Sequence, residues 1–308
     1  MSIPHRMTGV LSPVLTPFKS DLSPDADRFV RHCQWLLANQ VGLAVFGTNS
    51  EANSLSSEER MDLLDRLVAS GANTRMMMPG TGCCSLPETV KLTRHAVNHG
   101  CAGVLMLPPF YYKNCSDEGL YRHFSEVIQR IADPRLQIYL YHIPPVAQVP
   151  ITLGLIERLL KEYPANIAGI KDSSGDWKNT KSLLSSFAAA GFHVFAGSET
   201  FLLDTLRHGG AGCISATANV NPKKIFQVFA QWKSDQADAL QGGIDSTRKV
   251  FQSFPMIPAM KYAVSHWSGD PAWNKVRPPL VELTDEQQSG LVANLQASGF
   301  EMPGLNAR

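Results

Sequence analysis

The run Ile167-Ala168-Gly169-Ile170-Lys171-Asp172-Ser173-Ser174-Gly175 reads as a short buried strand that ends on a lysine, followed at once by turn and cap residues. An ammonium is expensive to desolvate, so lysine rarely closes an apolar run unless its amine is used. Desolvation also leaves more of an amine neutral, the form that attacks carbonyl carbons. Lys171 is therefore a candidate for a Schiff base with a 2-oxo acid. Taken alone, the stretch is better read as a strand-end lysine whose head snorkels to solvent. The rest of the chain reverses that preference.

Working outward, apolar runs of strand length recur, each followed by turn residues and a segment of helical period. Upstream of the lysine strand they are Val10 to Leu15, Gly42 to Phe46, Arg75 to Met78, Gly103 to Leu107 and Gln137 to Tyr141. Downstream they are His193 to Ala196 and Gly212 to Ala216. Helix starts are marked by Ser23 with Pro24, by Ser56 with Glu59 as a capping box, and by Ser85 with Glu88. From Asn221 onward the pattern is helical only, broken near Pro255, Pro258, Gly269 and Pro278-Pro279. Eight strand–helix repeats predict an α/β fold, a TIM (β/α)8 barrel with a C-terminal helical extension. Residues 1–220 would form the barrel core, and 221–308 the final barrel helix and the extension of the same domain. A doubly wound open sheet is the alternative, but the glycine fingerprint for a dinucleotide is absent after the first strand.

The bulk numbers suit that reading. The chain has 308 residues, 44% hydrophobic and 18% charged, enough to bury a large core. A formal net charge of +1 without blocks of like charge argues against nucleic-acid or anionic-membrane partners. No apolar run has the length of a membrane helix, and Met1 to Thr8 lacks the core of a secretory signal. The six cysteines, Cys33, Cys83, Cys84, Cys101, Cys115 and Cys213, have no metal-ligand spacing, so no metal site is expected. Reduced thiols point to a cytoplasmic protein.

In such barrels the chemistry sits in the loops after the strands. That rule gathers Thr48 and Asn49 after the second strand, Tyr112 after the fourth, Tyr141 at the end of the fifth, Lys171, and Gly197-Ser198 after the seventh. An amine, two phenols, a hydroxyl and backbone amides on a small turn are the parts imine chemistry needs. The amine adds to the ketone, a phenol shuttles protons, and a turn with free N–H groups binds the acid's carboxylate. Singly, each piece has a plainer explanation. Tyr141 alone reads as core, Tyr111-Tyr112 equally as a loop plug, and Gly47 to Glu51 as a helix-capping turn. His142 reads as structural, with no second histidine spaced to pair on a metal. Gly209-Gly210-Ala211-Gly212 precedes a strand and reads as a tight turn.

Taken in order, the motifs resemble those of the dihydrodipicolinate synthase / N-acetylneuraminate lyase family of class I pyruvate-dependent aldolases. They are Thr16-Pro17-Phe18, Gly47-Thr48-Asn49-Ser50-Glu51-Ala52, Tyr111-Tyr112 with Glu118-Gly119-Leu120-Tyr121, and Leu140-Tyr141-His142-Ile143-Pro144. Gly169 to Gly175, Ala196-Gly197-Ser198 and Ile257-Pro258-Ala259-Met260-Lys261 complete the series. The resemblance implies that Lys171 forms the imine, Tyr141 is the general acid/base, and Thr48 relays protons. It implies substrate contacts at Thr48, Asn49, Ser50, Gly197 and Ile214, and Tyr112 acting in a partner subunit's site. It also implies a homo-oligomer, a dimer of dimers, with the covalent Lys171 imine standing in for any cofactor.

Departures from the family pattern bear on substrate. Asn49-Ser50 replaces the usual second hydroxyl residue and glycine; an asparagine there also occurs in 4-hydroxy-2-oxoglutarate aldolases. Synthases of dihydrodipicolinate carry an arginine five residues after the catalytic tyrosine, where this chain has Val146, which cannot pair with a carboxylate. Sialate lyases carry an acidic pair where this chain has Glu199-Thr200. The expectation is a pyruvate-dependent lyase acting on a short 4-hydroxy-2-oxo acid. A dihydrodipicolinate synthase, a 2-oxo sugar acid dehydratase and a non-catalytic 2-oxo acid sensor are the alternatives.

Overall fold

Seven strands alternate with helices along the computed structural model, which describes residues 6–305. The strands are β1 (Gly9–Ser12), β2 (Gly42–Leu43), β3 (Val104–Met106), β4 (Ile138–His142), β5 (Ile167–Asp172), β6 (His193–Ala196) and β7 (Gly212–Ile214). The helices are α1 (Ala26–Ala38), α2 (Ser57–Ala69), α3 (Leu86–Asn98), α4 (Asp117–Ile131), α5 (Pro144–Ala147) and α6 (Leu153–Glu162). They continue with α7 (Trp177–Phe187), α8 (Leu202–Arg207), α9 (Pro222–Gln231), α10 (Ala237–Gln252), α11 (Met256–Ser268) and α12 (Asp285–Ala297). The strands share one sheet in the order β2-β1-β7-β6-β5-β4-β3, with parallel registers. Parallel strands need crossovers, and helices supply them. The fold class is the (β/α)8 barrel with a C-terminal helical extension.

The expected third strand, Arg75 to Met78, is displaced. Thr74–Met76 is a 3-10 turn capped by the Asn73 side chain, which accepts the Arg75 N–H. The pairing with β3 comes later: Leu105 N–H donates to Pro79 O at 2.9 Å and Thr81 N–H to Leu105 O at 3.0 Å. Pro79 has no N–H to give a ladder, so isolated bridge residues at Met77 and Gly80 stand where a strand was expected. The first helix start also moves. Pro24 pairs with Phe18 in an antiparallel bridge, and Asp25, accepting Arg28 N–H at 3.0 Å, caps α1 in place of Ser23. The Ser56–Glu59 box forms as expected, with Ser56 N–H on Glu59 Oε2 at 2.9 Å and Glu59 N–H on Ser56 Oγ at 3.1 Å.

The chain groups into two compact units, residues 1–9 with 73–214 and residues 10–72 with 215–308. The core of the first is built on Leu105, Met106, Ile138, Leu140, Ile170, Val194 and Phe195, all buried. Within it β4 and β5 pair with Tyr139 beside Gly169 and Tyr141 beside Lys171. The core of the second includes Leu11, Phe29, Leu36, Leu43, Ile225, Phe251, Met260 and Leu291. No helix among the described residues is long and apolar enough to cross a membrane.

Candidate active site

Residues paired on neighbouring strands point to the same face. The register of β4 on β5 therefore brings the Tyr141 and Lys171 side chains together. Lys171 Nζ donates to Tyr141 Oη at 3.2 Å and lies 4.3 Å from that ring's centroid. Both residues are 2% exposed. No carboxylate pairs with Lys171 among the described residues. Two residues earlier on the same face, Tyr139 serves packing. A Cβ on Gly169 would stand 2.1 Å from His193 O and 2.9 Å from the Tyr139 ring, so only glycine admits this approach. The Tyr139 hydroxyl accepts the Met7 N–H at 2.8 Å, and burial pushes its pKa up to about 12. One strand face thus carries a phenol tied to backbone and a phenol tied to an amine.

The strand runs one residue beyond the lysine, and Asp172 closes it. Its carboxylate accepts Ser174 N–H at 3.0 Å, Asn179 Nδ2 at 3.0 Å and Thr180 Oγ1 at 2.6 Å. These bonds anchor the loop that leads into α7, on the face opposite Lys171. His142, next to Tyr141, accepts Ile151 N–H on Nδ1 at 3.0 Å. Burial lowers its pKa, opposed by the charge of Asp172. The structural part of His142 was expected from the sequence; the anchoring part of Asp172 was not. Asn179 and Thr180 lie seven and eight residues after Asp172, too far apart to register as a turn motif.

Gly197 is held against the end of β5, its N–H donating to Asp172 O at 2.7 Å. A Cβ there would lie 2.1 Å from Ser173 Oγ, so the residue provides room and close approach. Its amide is spent inside the sheet and is not a free donor for a ligand. Ile214 is buried at the end of β7. Tyr112 stands apart from the Lys171–Tyr141 pair: it is 74% exposed, and its ring meets Tyr111 edge-on at 5.3 Å. Lys113 fixes this loop by donating to Phe110 O at 2.6 Å and Ala147 O at 3.2 Å. Val146 is exposed.

Thr48, Asn49 and Ser50 belong to the second unit and form a single 3-10 turn after β2. Gly47 N–H donates to Ser50 Oγ at 3.1 Å, and Thr16 Oγ1 donates to Ser50 O at 2.7 Å. Two non-glycine residues with positive φ bracket the turn, Phe46 at 62° and Glu51 at 54°. Bulky residues rarely occupy that region unless their surroundings hold them there.

A phenol and an amine in contact at the ends of adjacent parallel strands are the decisive geometry. The profile of the "Dihydrodipicolinate synthetase family" matches residues 6–298. The chain belongs to that family. It is an aldolase-type lyase of the family. A relative from Chloroflexus aurantiacus, named an uncharacterized DapA-like lyase, is 33% identical over 92% of this chain and 95% of its own length. The crystal structure of dihydrodipicolinate synthase from Agrobacterium tumefaciens superposes with a TM-score of 0.87 at 32% identity, covering 94% of this chain and 99% of that one. YagE, a prophage protein of the same family from E. coli K12 solved in complex with pyruvate, superposes at 0.86 with 26% identity, covering 95% and 99%. Family members thus match this chain over nearly its whole length in both sequence and fold.

Proposed function

We propose that the protein is a Schiff-base aldolase that makes or cleaves the bond between pyruvate and a small aldehyde, acting on a 4-hydroxy-2-oxo acid such as 4-hydroxy-2-oxoglutarate. The carrying observation is the buried Lys171 Nζ 3.2 Å from Tyr141 Oη. A neutral amine adds to the C2 carbonyl, Tyr141 passes protons, and water leaves as the imine forms. In cleavage, the iminium takes up the electron pair of the C3–C4 bond while the 4-hydroxyl gives up its proton, its oxygen becomes the C4 carbonyl, and the C4 fragment departs as an aldehyde. The enamine is then protonated at C3, and water releases pyruvate and the free amine. The carbon skeleton is held by Lys171 itself, so the reaction as written needs no organic cofactor or metal.

Family resemblance supplies the remaining roles. Thr48 relays protons; Thr48, Asn49 and Ser50 hold the carboxylate; Gly197 and Ile214 line the bound acid. Tyr112, exposed in a loop held by Lys113, would act in the site of a second copy in a cytoplasmic homo-oligomer, a dimer of dimers. The exposed Val146 supports a substrate without a carboxylate at that point, and so an aldolase over a synthase. The test is a pair of product assays, one for pyruvate release from 4-hydroxy-2-oxoglutarate and one for condensation of pyruvate with aspartate semialdehyde. Turnover in the first and none in the second is expected. The reverse result would make the protein a synthase, and pyruvate binding without either turnover would make it a sensor.

A further inference from the structure

Three motifs have no place in the chemistry above: Thr16-Pro17-Phe18, Glu51 and the Ile257-to-Lys261 run. In the second unit they meet in one buried cluster. Glu51 and Lys261 form an ion pair whose side chains are both 0% exposed. Lys261 Nζ also donates to Lys275 O at 2.9 Å and lies 4.4 Å from the centroid of the Phe18 ring. Arg277 N–H donates to Glu51 Oε2 at 3.0 Å, and the Arg277 guanidinium is 4.8 Å from the same ring. Thr16, two residues before Phe18, holds the Ser50 carbonyl.

Such a pair is a poor device for stability alone, because desolvating two charges offsets most of their attraction. Its geometric effect is specific. Glu51 is the residue that ends the Thr48–Ser50 turn, in a left-handed conformation that only its surroundings can impose. Its side chain is held by the Lys261 ammonium and the Arg277 N–H, and its backbone N–H closes the turn on Thr48 O at 3.1 Å. We propose that Glu51 and Lys261 are positioning residues that set the Thr48-Asn49-Ser50 turn in the form that binds the substrate's carboxylate. Neither touches substrate. The inference rests on the reading of that turn as the carboxylate site.

The experiment compares reductive trapping of two ketones on Lys171 with borohydride, pyruvate and the carboxylate-free hydroxyacetone. The proteins are the parent, Glu51→Gln and the double variant Glu51→Gln/Lys261→Met. The double variant avoids leaving a lone buried charge, so it keeps the test open if Glu51→Gln alone does not fold. The variants are expected to need about tenfold or more pyruvate for half-saturation, the scale of one charge-assisted hydrogen bond, with hydroxyacetone trapping unchanged. Parallel losses with both ketones, or no loss with either, would overturn the positioning role. A parent that traps neither ketone would instead overturn the imine reading itself, so the two failures are distinguishable.

Discussion

Among the described residues two lysines are buried, and their surroundings differ. Lys171 is 2% exposed and its nitrogen meets a phenol; Lys261 is 0% exposed and its nitrogen meets a carboxylate and a carbonyl. A buried ammonium that keeps a counter-ion is a structural part, since removing either partner strands the other. A buried amine offered only a phenol is free to exchange that hydrogen bond for a covalent one. The lesson is that burial does not identify a reactive lysine; the partner does.

The same substitution should separate the two. Lys171→Met is expected to lower turnover on the order of 10⁴-fold or more, since the nucleophile is gone, while the midpoint of thermal unfolding holds or rises. Lys261→Met is expected to destabilise the fold by roughly 3–5 kcal/mol, because Glu51 loses its buried counter-ion; adding Glu51→Gln should recover much of that in a denaturant titration. If the two variants gave the same unfolding loss, the distinction between the lysines would collapse. Tyr141→Phe removes only the proton shuttle and should lower kcat by about 10²–10⁴-fold, with slow trapping at Lys171 still detectable.

Smaller effects appear with pH. Burial lowers the Lys261 pKa to about 8, against the attraction of Glu51 and Glu282 and with the repulsion of Arg277. The unfolded chain then binds more protons between about 8 and its ordinary value of 10.5, so this group's contribution to stability rises across that window and is lost as pH falls through it. Urea midpoints from pH 8 to 10 should show the rise in the parent and lose it in Glu51→Gln/Lys261→Met. His32, buried against Trp35 and Trp273, has its pKa lowered by burial to about 4. Its contribution is complete above 6.5 and falls away as pH drops through 4, on the order of 3 kcal/mol in all. His32→Asn should flatten that part of the acid limb.

How much of this was legible in the chain depends on the range of the interactions. The Ser56–Glu59 box and the Ser85 cap rest on neighbours within a few residues, and sequence spacing shows them. The third strand was misplaced because Arg75 to Met78 has strand composition, while pairing is settled by Leu105, about thirty residues away, together with Pro79. The Lys171–Tyr141 contact could be expected only through the barrel rule, since a one-residue slip in β4 on β5 would have put the phenol on the other face. The Glu51–Lys261 pair was visible as two recurring motifs without a reason. Its two members are 210 positions apart, and no periodicity links them.

The central claim is that Lys171, and not Lys261, is the amine that captures a keto acid. It is tested by incubating the protein with pyruvate and borohydride and mapping the adduct by peptide mass. The expected result is one reduced pyruvate on the Lys171 peptide, none on the Lys261 peptide, and none anywhere after Lys171→Met. An unmodified Lys171 peptide at saturating pyruvate would contradict it.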